Sequence, residues 1–491
     1  MQNTTQLLPG FHLETLRRKP RSMQQKLADE LRLLKQKSFA QLGEAFEGFI
    51  PEKLLAPSSS GAHSRRRLFS KSNTFWAFLS QVLSDDGSCQ EVVQKLKAYA
   101  ALRGIDMPSS ATAAYCKARG KLTEDDVLEI YTHVIISMEE LGSTDNWHGH
   151  RVVVTDGTGV SMPDTEPNQE QWPQQCHQKP GCGFPSARIT ACFSLHTGAL
   201  LSHRISDKHV SEIVRLRQQI DALGRGDILL GDKAFCGYRG DITERLDRGI
   251  DSVISLCRRT PIKDANAVKV LGKDDVLIRW RRPAKIHGMN KAEREKLPTT
   301  LLLRQTKITI NQPGFRSQSI YLISTLHDPV KYPAEDLRDL YFRRWDVELF
   351  FRDIKTTMGM DILRCKSPEM IRKEIMMHFI AYNCVRRIMY EAAEEADMPV
   401  RHISFKTSLQ TLRSWEPNLN QAKLSRKERF RLISMLYESI TQCPLLQRPG
   451  RSEPRAVKRR PKGYHLLTKP RHEMIVPSHR NRNWLNKGKH A

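Results

Sequence analysis

Arg151-Val-Val-Val-Thr-Asp156-Gly-Thr158 is the stretch from which the fold can be read. Three consecutive β-branched apolar residues make Val152–Val154 a buried strand, and Thr-Asp-Gly-Thr ends it in a loop. Ile228-Leu229-Leu230 repeats the pattern and again ends at a carboxylate, Asp232. Strands buried on both faces belong in the middle of a sheet covered by helices. Between the two runs, Ile189–Leu195 and Leu200–Ile205, split by His196-Thr197-Gly198, read as a hairpin, and Val210–Leu223 as a helix. A helix over about Tyr238–Asp247 and a strand at Ser252–Leu256 follow. The order strand-strand-strand-helix-strand-helix-strand predicts an α/β fold, a mixed sheet flanked by helices.

Working outward, residues 258–319 interrupt the alternation. Val268/Val270, Val276/Ile278/Trp280 and Ile308/Ile310 alternate as strands do, with 15 Lys and Arg against 5 Asp and Glu. This predicts a basic β-rich insertion. Tyr321–Ser324 returns to apolar strand character, and one long helix is predicted from about Ala334 to Met358, with further helices to Cys443. Upstream, an amphipathic helix is expected from about Met23 to Phe46 and a linker at Pro57–Gly61. Val92–Arg103 and Ser109–Arg119 form two helices joined at Gly104 and Pro108, the second with a Ser cap and a basic end. That second helix could read DNA or be one member of a plain bundle. The chain thus divides into 1–60 (helical segment and linker), 61–150 (helical), 151–361 (α/β domain with insertion 258–319), 362–446 (helical) and 447–491. From Arg448 onward there are 13 Lys and Arg, 2 Asp and Glu and five prolines, the composition of a disordered basic tail.

The 491 residues carry 79 Lys and Arg against 54 Asp and Glu, a formal charge of +25 that attracts polyanions, nucleic acid first among them. No stretch approaches the roughly 18 apolar residues of a membrane span, and MQNTTQLLPG lacks the features of a signal peptide, so a cytoplasmic protein without a membrane partner is expected. Ten scattered cysteines without a CxxC pair read as free core thiols. Cys176-His177 and Cys182 lack the second ligand pair that a zinc site needs.

Asp156 and Asp232 each sit where an apolar strand ends, the edge at which such sheets bind ligands. Two carboxylates brought together there resist joint ionisation unless a hard divalent cation lies between them. Loop aspartates that cap helices would look the same. The helix predicted from Ala334 adds Tyr341-Phe-Arg-Arg344-Trp-Asp-Val-Glu348-Leu-Phe-Phe-Arg-Asp-Ile-Lys355. At 3.6 residues per turn, Arg344, Glu348 and Lys355 fall about 300°, 340° and 320° round from Tyr341, a stripe roughly 60° wide. A carboxylate flanked by cations and an aromatic suits a phosphate backbone and a stacked base. An exposed charged face with an Arg344–Glu348 i, i+4 pair is the plainer reading.

Tyr-x2-Arg-x3-Glu-x6-Lys resembles the signature of bacterial insertion-sequence DDE transposases of the insertion-sequence-four family. Asp-Gly-Thr after the first strand, Gly-Asp-Lys after the fourth, Ser161-Met-Pro-Asp-Thr, Lys179-Pro-Gly-Cys-Gly-Phe-Pro and the insertion's place agree with it. The resemblance covers about Val152 to Lys355. It implies a ribonuclease-H-like catalytic core with Asp156, Asp232 and Glu348 as catalytic residues and metal ligands. Two Mg²⁺ ions, with Mn²⁺ as substitute, would serve cleavage and joining of DNA ends. Tyr341, Arg344 and Lys355 would bind DNA, and a flipped base would stack on Tyr321 or Trp280. It also implies end recognition by residues 61–150, double-stranded inverted repeats and target DNA as partners, and a synaptic homodimer through the helices after Asp361. A nuclease that cuts without joining, or a decayed copy that only binds DNA, would share much of this pattern.

Overall fold

The computed structural model describes residues 49–57, 60–64, 68–102, 109–141, 147–176, 178–238, 241–256, 265–286, 289–310, 318–419, 425–445, 469–470 and 473–474. The helix expected over Met23–Phe46, the joint at Gly104–Pro108 and nearly all of the basic tail lie outside them.

Nine strands of the described residues form one sheet: β1 (Val152–Ser161), β2 (Ser186–Ser194), β3 (Leu200–Ser206), β4 (Ile228–Gly231), β5 (Asp251–Ser255), β6 (Ala265–Gly272), β7 (Asp275–Arg281), β8 (Thr300–Ile310) and β9 (Gln318–Ser324). Their order is β3-β2-β1-β4-β5-β9-β8-β7-β6. β1, β4 and β5 pair parallel to one another, whereas β2 pairs antiparallel with β1 and β3. Val153 and Leu229 enter an apolar cluster with Leu216 and Ile220, while their neighbours Val152, Val154, Ile228 and Leu230 enter the cluster on the other face. Both faces of the central strands are therefore buried, as the apolar runs predict.

Among the described residues, four helices precede the sheet: α1 (Lys71–Leu83), α2 (Cys89–Leu102), α3 (Ala113–Lys121) and α4 (Glu124–Leu141). Short helices interrupt the strands: α5 (Glu166–Gln171), α6 (Glu212–Arg217), α7 (Asp241–Asp247) and α8 (Lys291–Glu295). After β9 come α9 (Ala334–Phe342), α10 (Asp346–Arg352), α11 (Pro368–Glu395), α12 (Phe405–Leu419) and α13 (Arg426–Thr441). α11 runs through the interior, its side chains buried at most positions from Ile371 to Ala393. Asn383 in mid-helix accepts from the Leu200 N–H and donates to the Leu200 carbonyl, both at 2.9 Å, so its amide stands in for a strand partner at the start of β3. α4 packs along α11, where the buried Lys373 ammonium donates to the Leu122 carbonyl at 2.7 Å.

Several expectations change. The insertion strands do not form a module of their own: β9 pairs with both β5 and β8, so β6–β8 prolong the central sheet. Strand 1 does not end at Asp156 but runs on to Ser161 against β2, with Asp156 opposite Ala191. What stops is its parallel neighbour, since pairing with β4 ends at Val154–Leu230. The helix expected over Val210–Leu223 is only α6 followed by a 3₁₀ turn at Ile220–Ala222, and that over Tyr238–Asp247 starts at Asp241. α3 begins at Ala113 behind Thr112, which gives no side-chain cap; Ser109 instead accepts from the Ala111 N–H in a turn. The long helix expected over Ala334–Met358 is present but irregular: α9 runs into a 3₁₀ turn at Arg343–Trp345, α10 follows, and a π-turn occupies Asp353–Thr357. The described cysteines are free, yet Cys116, Cys176 and Cys443 are exposed rather than in the core.

Candidate active site

The site forms where β1 and β4 part. Beyond Val154, β1 no longer pairs with β4, and Asp156 lies just past that parting. Asp232 lies directly after β4, where its Oδ1 accepts from the Ala234 N–H at 2.8 Å and caps the 3₁₀ turn Lys233–Phe235. Asp232 is thus a capping aspartate by local geometry and a site carboxylate by position.

Burial pushes the Asp156 carboxyl up to about 6 from an ordinary 3.8. The Gly157 N–H, which donates to Asp156 Oδ1 at 2.7 Å, and the Arg344 guanidinium act against this; the charges of Asp232 and Glu212 add to it. Tyr341 is raised above its ordinary value by burial, opposed by a hydrogen bond with Ser255 at the end of β5 and by Arg344. Asp156, Asp232, Tyr341 and Arg344 therefore share one electrostatic environment beside the ends of β4 and β5, where β1 parts from β4.

Arg344 is buried, with its guanidinium carbon 6.0 Å from the Tyr341 ring centroid and 5.1 Å from that of Trp345. Its Nη2 stands 3.7 Å from Glu348 Oε1, while the Glu348 side chain is 59% exposed. Glu348 joins the group through Arg344. Among the described residues, no three His, Cys, Asp or Glu side chains lie close enough together to hold a metal ion. Lys355 is half-buried within the π-turn, so the stripe reckoned on a regular helix does not extend unbroken to it.

Glu212, which the sequence reading passed over, reaches the site from α6. A Cβ on Gly157 would lie 2.0 Å from Glu212 Oε1, so this carboxylate rests against the backbone beside Asp156. The glycine after Asp156 was the one sign of it in the sequence. Trp345 was also missed: it is 39% exposed, stacks at 6.0 Å and 14° on Phe342, and offers an aromatic surface beside Arg344. Trp280 is instead packed edge-on to Tyr238 at 5.0 Å, and Tyr321 stands on β9 opposite Lys307.

Carboxylates at this strand divergence share their surroundings with a buried arginine and tyrosine, and the family model described as a transposase DDE domain matches residues 147–384. Over 443 residues the chain is 24% identical to "Transposase InsG for insertion sequence element IS4" of Escherichia coli (strain K12), covering 87% of this chain and 94% of that protein. A shorter match, 34% identical over 62 residues, links 13% of this chain to 16% of "Transposase for insertion sequence element IS421" of Escherichia coli. Residues 147–384 thus match a transposase DDE domain, and along most of its length the chain is similar to an insertion-sequence-four transposase. No helix among the described residues is long and apolar enough to cross a membrane.

Proposed function

We propose that the protein carries out cut-and-paste transposition, binding the terminal inverted repeats of an insertion sequence, cleaving them and joining the 3′ ends to target DNA. The observation that carries this is the crowding of Asp156 by Asp232 and Glu212. Carboxylates so placed repel one another and call for a cation, and an all-oxygen donor set suits a hard one. Asp156, Asp232 and Glu348 would hold Mg²⁺, with Mn²⁺ as a substitute. Bound there, a pair of such ions would activate the attacking oxygen and stabilise the leaving one. Glu348 reaches the aspartates once DNA phosphate competes for Arg344, which now holds it at 3.7 Å.

The strand order β3-β2-β1-β4-β5, with β2 alone antiparallel, supports a ribonuclease-H-like core. Arg344 and Lys355 would grip the terminal phosphates, and Tyr341 would close the floor of the site. Residues 61–150 would bind the repeats. In a synaptic dimer α11 is already buried within its own chain, so the partner would meet α12 and α13, where Phe430 is 72% exposed.

The test is cleavage of a labelled duplex bearing the element's own repeat, with Mg²⁺ or EDTA. Glu348→Gln should retain repeat binding and lose cleavage by about a thousandfold, the scale of a lost transition-state contact. Undiminished cleavage would remove Glu348 from the mechanism. Products joined through their own 3′ ends separate a transposase from a nuclease that only cuts.

A further inference from the structure

The signature helix is fixed at both ends of its second half, and its irregular turn lies between. Upstream, Phe350 and Phe351 pack against Phe193 of β2, with ring centroids 5.4 and 5.2 Å apart. Downstream, the Leu363 N–H donates to the Ser161 carbonyl at 2.9 Å and the Ser161 N–H to the Asp361 carbonyl at 3.0 Å, tying the exit of the helix to the end of β1. The Asp353 carbonyl accepts from the Met358 N–H at 3.0 Å, five residues on, which is the π-turn spacing. Such wide turns inside α-helices occur mostly at functional positions.

Beside this turn lies a cleft of about 520 Å³ between the helix and α12, and Asp156 is not among its lining residues. Asp353 lines it, buried, with its Oδ1 3.7 Å from Arg352 Nη2. Arg386 of α11 also lines the cleft and faces Asp353 electrostatically. Arg386 is itself locked: its guanidinium carbon sits 4.7 Å from the Phe350 ring centroid, and its Nε donates to the Gly198 carbonyl at 3.3 Å. Gly198, at φ 67°, leaves the room that this side chain fills, since a Cβ there would come 1.7 Å from Arg386 Nη2. Lys355 follows Asp353 by two residues, and helix residues two apart do not face each other.

We propose that Asp353 is a positioning residue for Lys355: its carboxylate, set between Arg352 and Arg386 on the cleft side, fixes the wide turn and so aims Lys355 from the opposite side at DNA. This rests on the DNA-gripping role given to Lys355 above. A charge in that place is needed because a neutral side chain of the same shape would leave the Arg352 guanidinium without its anion, weaken the pull of Arg386 and free the turn to relax into regular helix.

The test is a double-mutant cycle on strand transfer, using the full chain, Mg²⁺ and precleaved repeat ends. Asp353→Asn should slow joining about fivefold, the effect of one partly buried ion pair, and Lys355→Ala about tenfold. The double variant should be no slower than Lys355→Ala alone, because the aspartate acts through the lysine. Arg352→Gln, at a side chain 57% exposed, should repeat this non-additivity where Asp353→Asn disturbs packing. A double variant slowed by the product of the two factors would overturn the positioning role while leaving Lys355 on DNA. Joining unaffected by Asp353→Asn and Arg352→Gln would overturn it too. An inert Lys355→Ala would overturn both this inference and the DNA role on which it rests.

Discussion

Asp156→Asn should make the metal-free protein more stable at neutral pH, because the native site holds an anion that its surroundings resist. Burial, with the repulsion of Asp232 and Glu212, raises this carboxyl from 3.8 to about 6. A raised folded value favours the protonated form, so the stabilising contribution is full below 3.8 and lost as pH rises through about 6. Above that the ionised group costs about 2 units at 1.36 kcal/mol each, on the order of 3 kcal/mol. Asparagine keeps the shape and can still accept from the Gly157 N–H, which donates to Asp156 Oδ1 at 2.7 Å. The measurement is urea unfolding of both proteins in EDTA from pH 5 to pH 8. At pH 8 the variant should gain about 3 kcal/mol, and at pH 5 roughly half of that. Asp353, also raised to about 6 by burial, titrates in both proteins and cancels in the difference. Mg²⁺ should then raise the wild-type midpoint at pH 8 and leave the variant's almost unmoved, since a ligand stabilises only the state that binds it. A variant no more stable than wild type at pH 8, or a gain equal at pH 5 and pH 8, would refute this account of the carboxylate cluster.

Two further substitutions probe the frame around the site. Gly157→Ala places a Cβ 2.0 Å from the present Glu212 Oε1; the flexible carboxylate can swing away, so the fold should lose under about 1 kcal/mol while cleavage falls several-fold. Rates on repeat DNA and melting curves check this, and unchanged cleavage would show that Glu212's place is immaterial. Asp275→Asn removes the anion from Arg304, a fully buried side chain whose Nη2 donates to Asp275 Oδ2 at 2.6 Å and whose Nε donates to Oδ1 at 2.9 Å. Leaving that guanidinium unpaired should cost about 3–5 kcal/mol in urea unfolding, and a loss below about 1 kcal/mol would contradict the pairing.

The parts of this fold that were legible in the sequence are those written locally. Val152–Val154 and Ile228–Leu230 announce buried strands by composition, and the placing of Asp156 and Asp232 beside the ends of apolar runs and of Tyr341, Arg344 and Glu348 on one helix is visible as spacing. What was illegible depends on partners far along the chain. That β1 continues past Asp156 follows from pairing with Arg188–Ala191, some 35 residues away, while β4 departs; no local signal separates one neighbour leaving from the strand ending. Alternation in the insertion predicts strands without saying which sheet they join, since either answer satisfies period two. The helix period likewise assumes a free helix, whereas this one is pinned to Ser161 and must widen by a residue to reach it.

The insertion and the signature helix are mechanically one system, and this explains why a basic β-rich segment lies between the second aspartate and the glutamate. Arg304 on β8, paired with Asp275 on β7, donates its Nη1 to the Tyr332 carbonyl at 2.6 Å, just before α9 begins. β9 joins β8 to β5, whose last residue, Ser255, hydrogen-bonds Tyr341. The entry of the helix is thus set by the insertion and its exit by β1, the strand that bears Asp156. A load on the insertion, such as DNA lying on its basic surface, would move Tyr341 and Arg344 relative to Asp156 and Asp232. In this structure Glu348 waits 3.7 Å from Arg344 rather than among the aspartates. A site assembled by its own substrate would keep an inactive arrangement until the correct DNA end is bound.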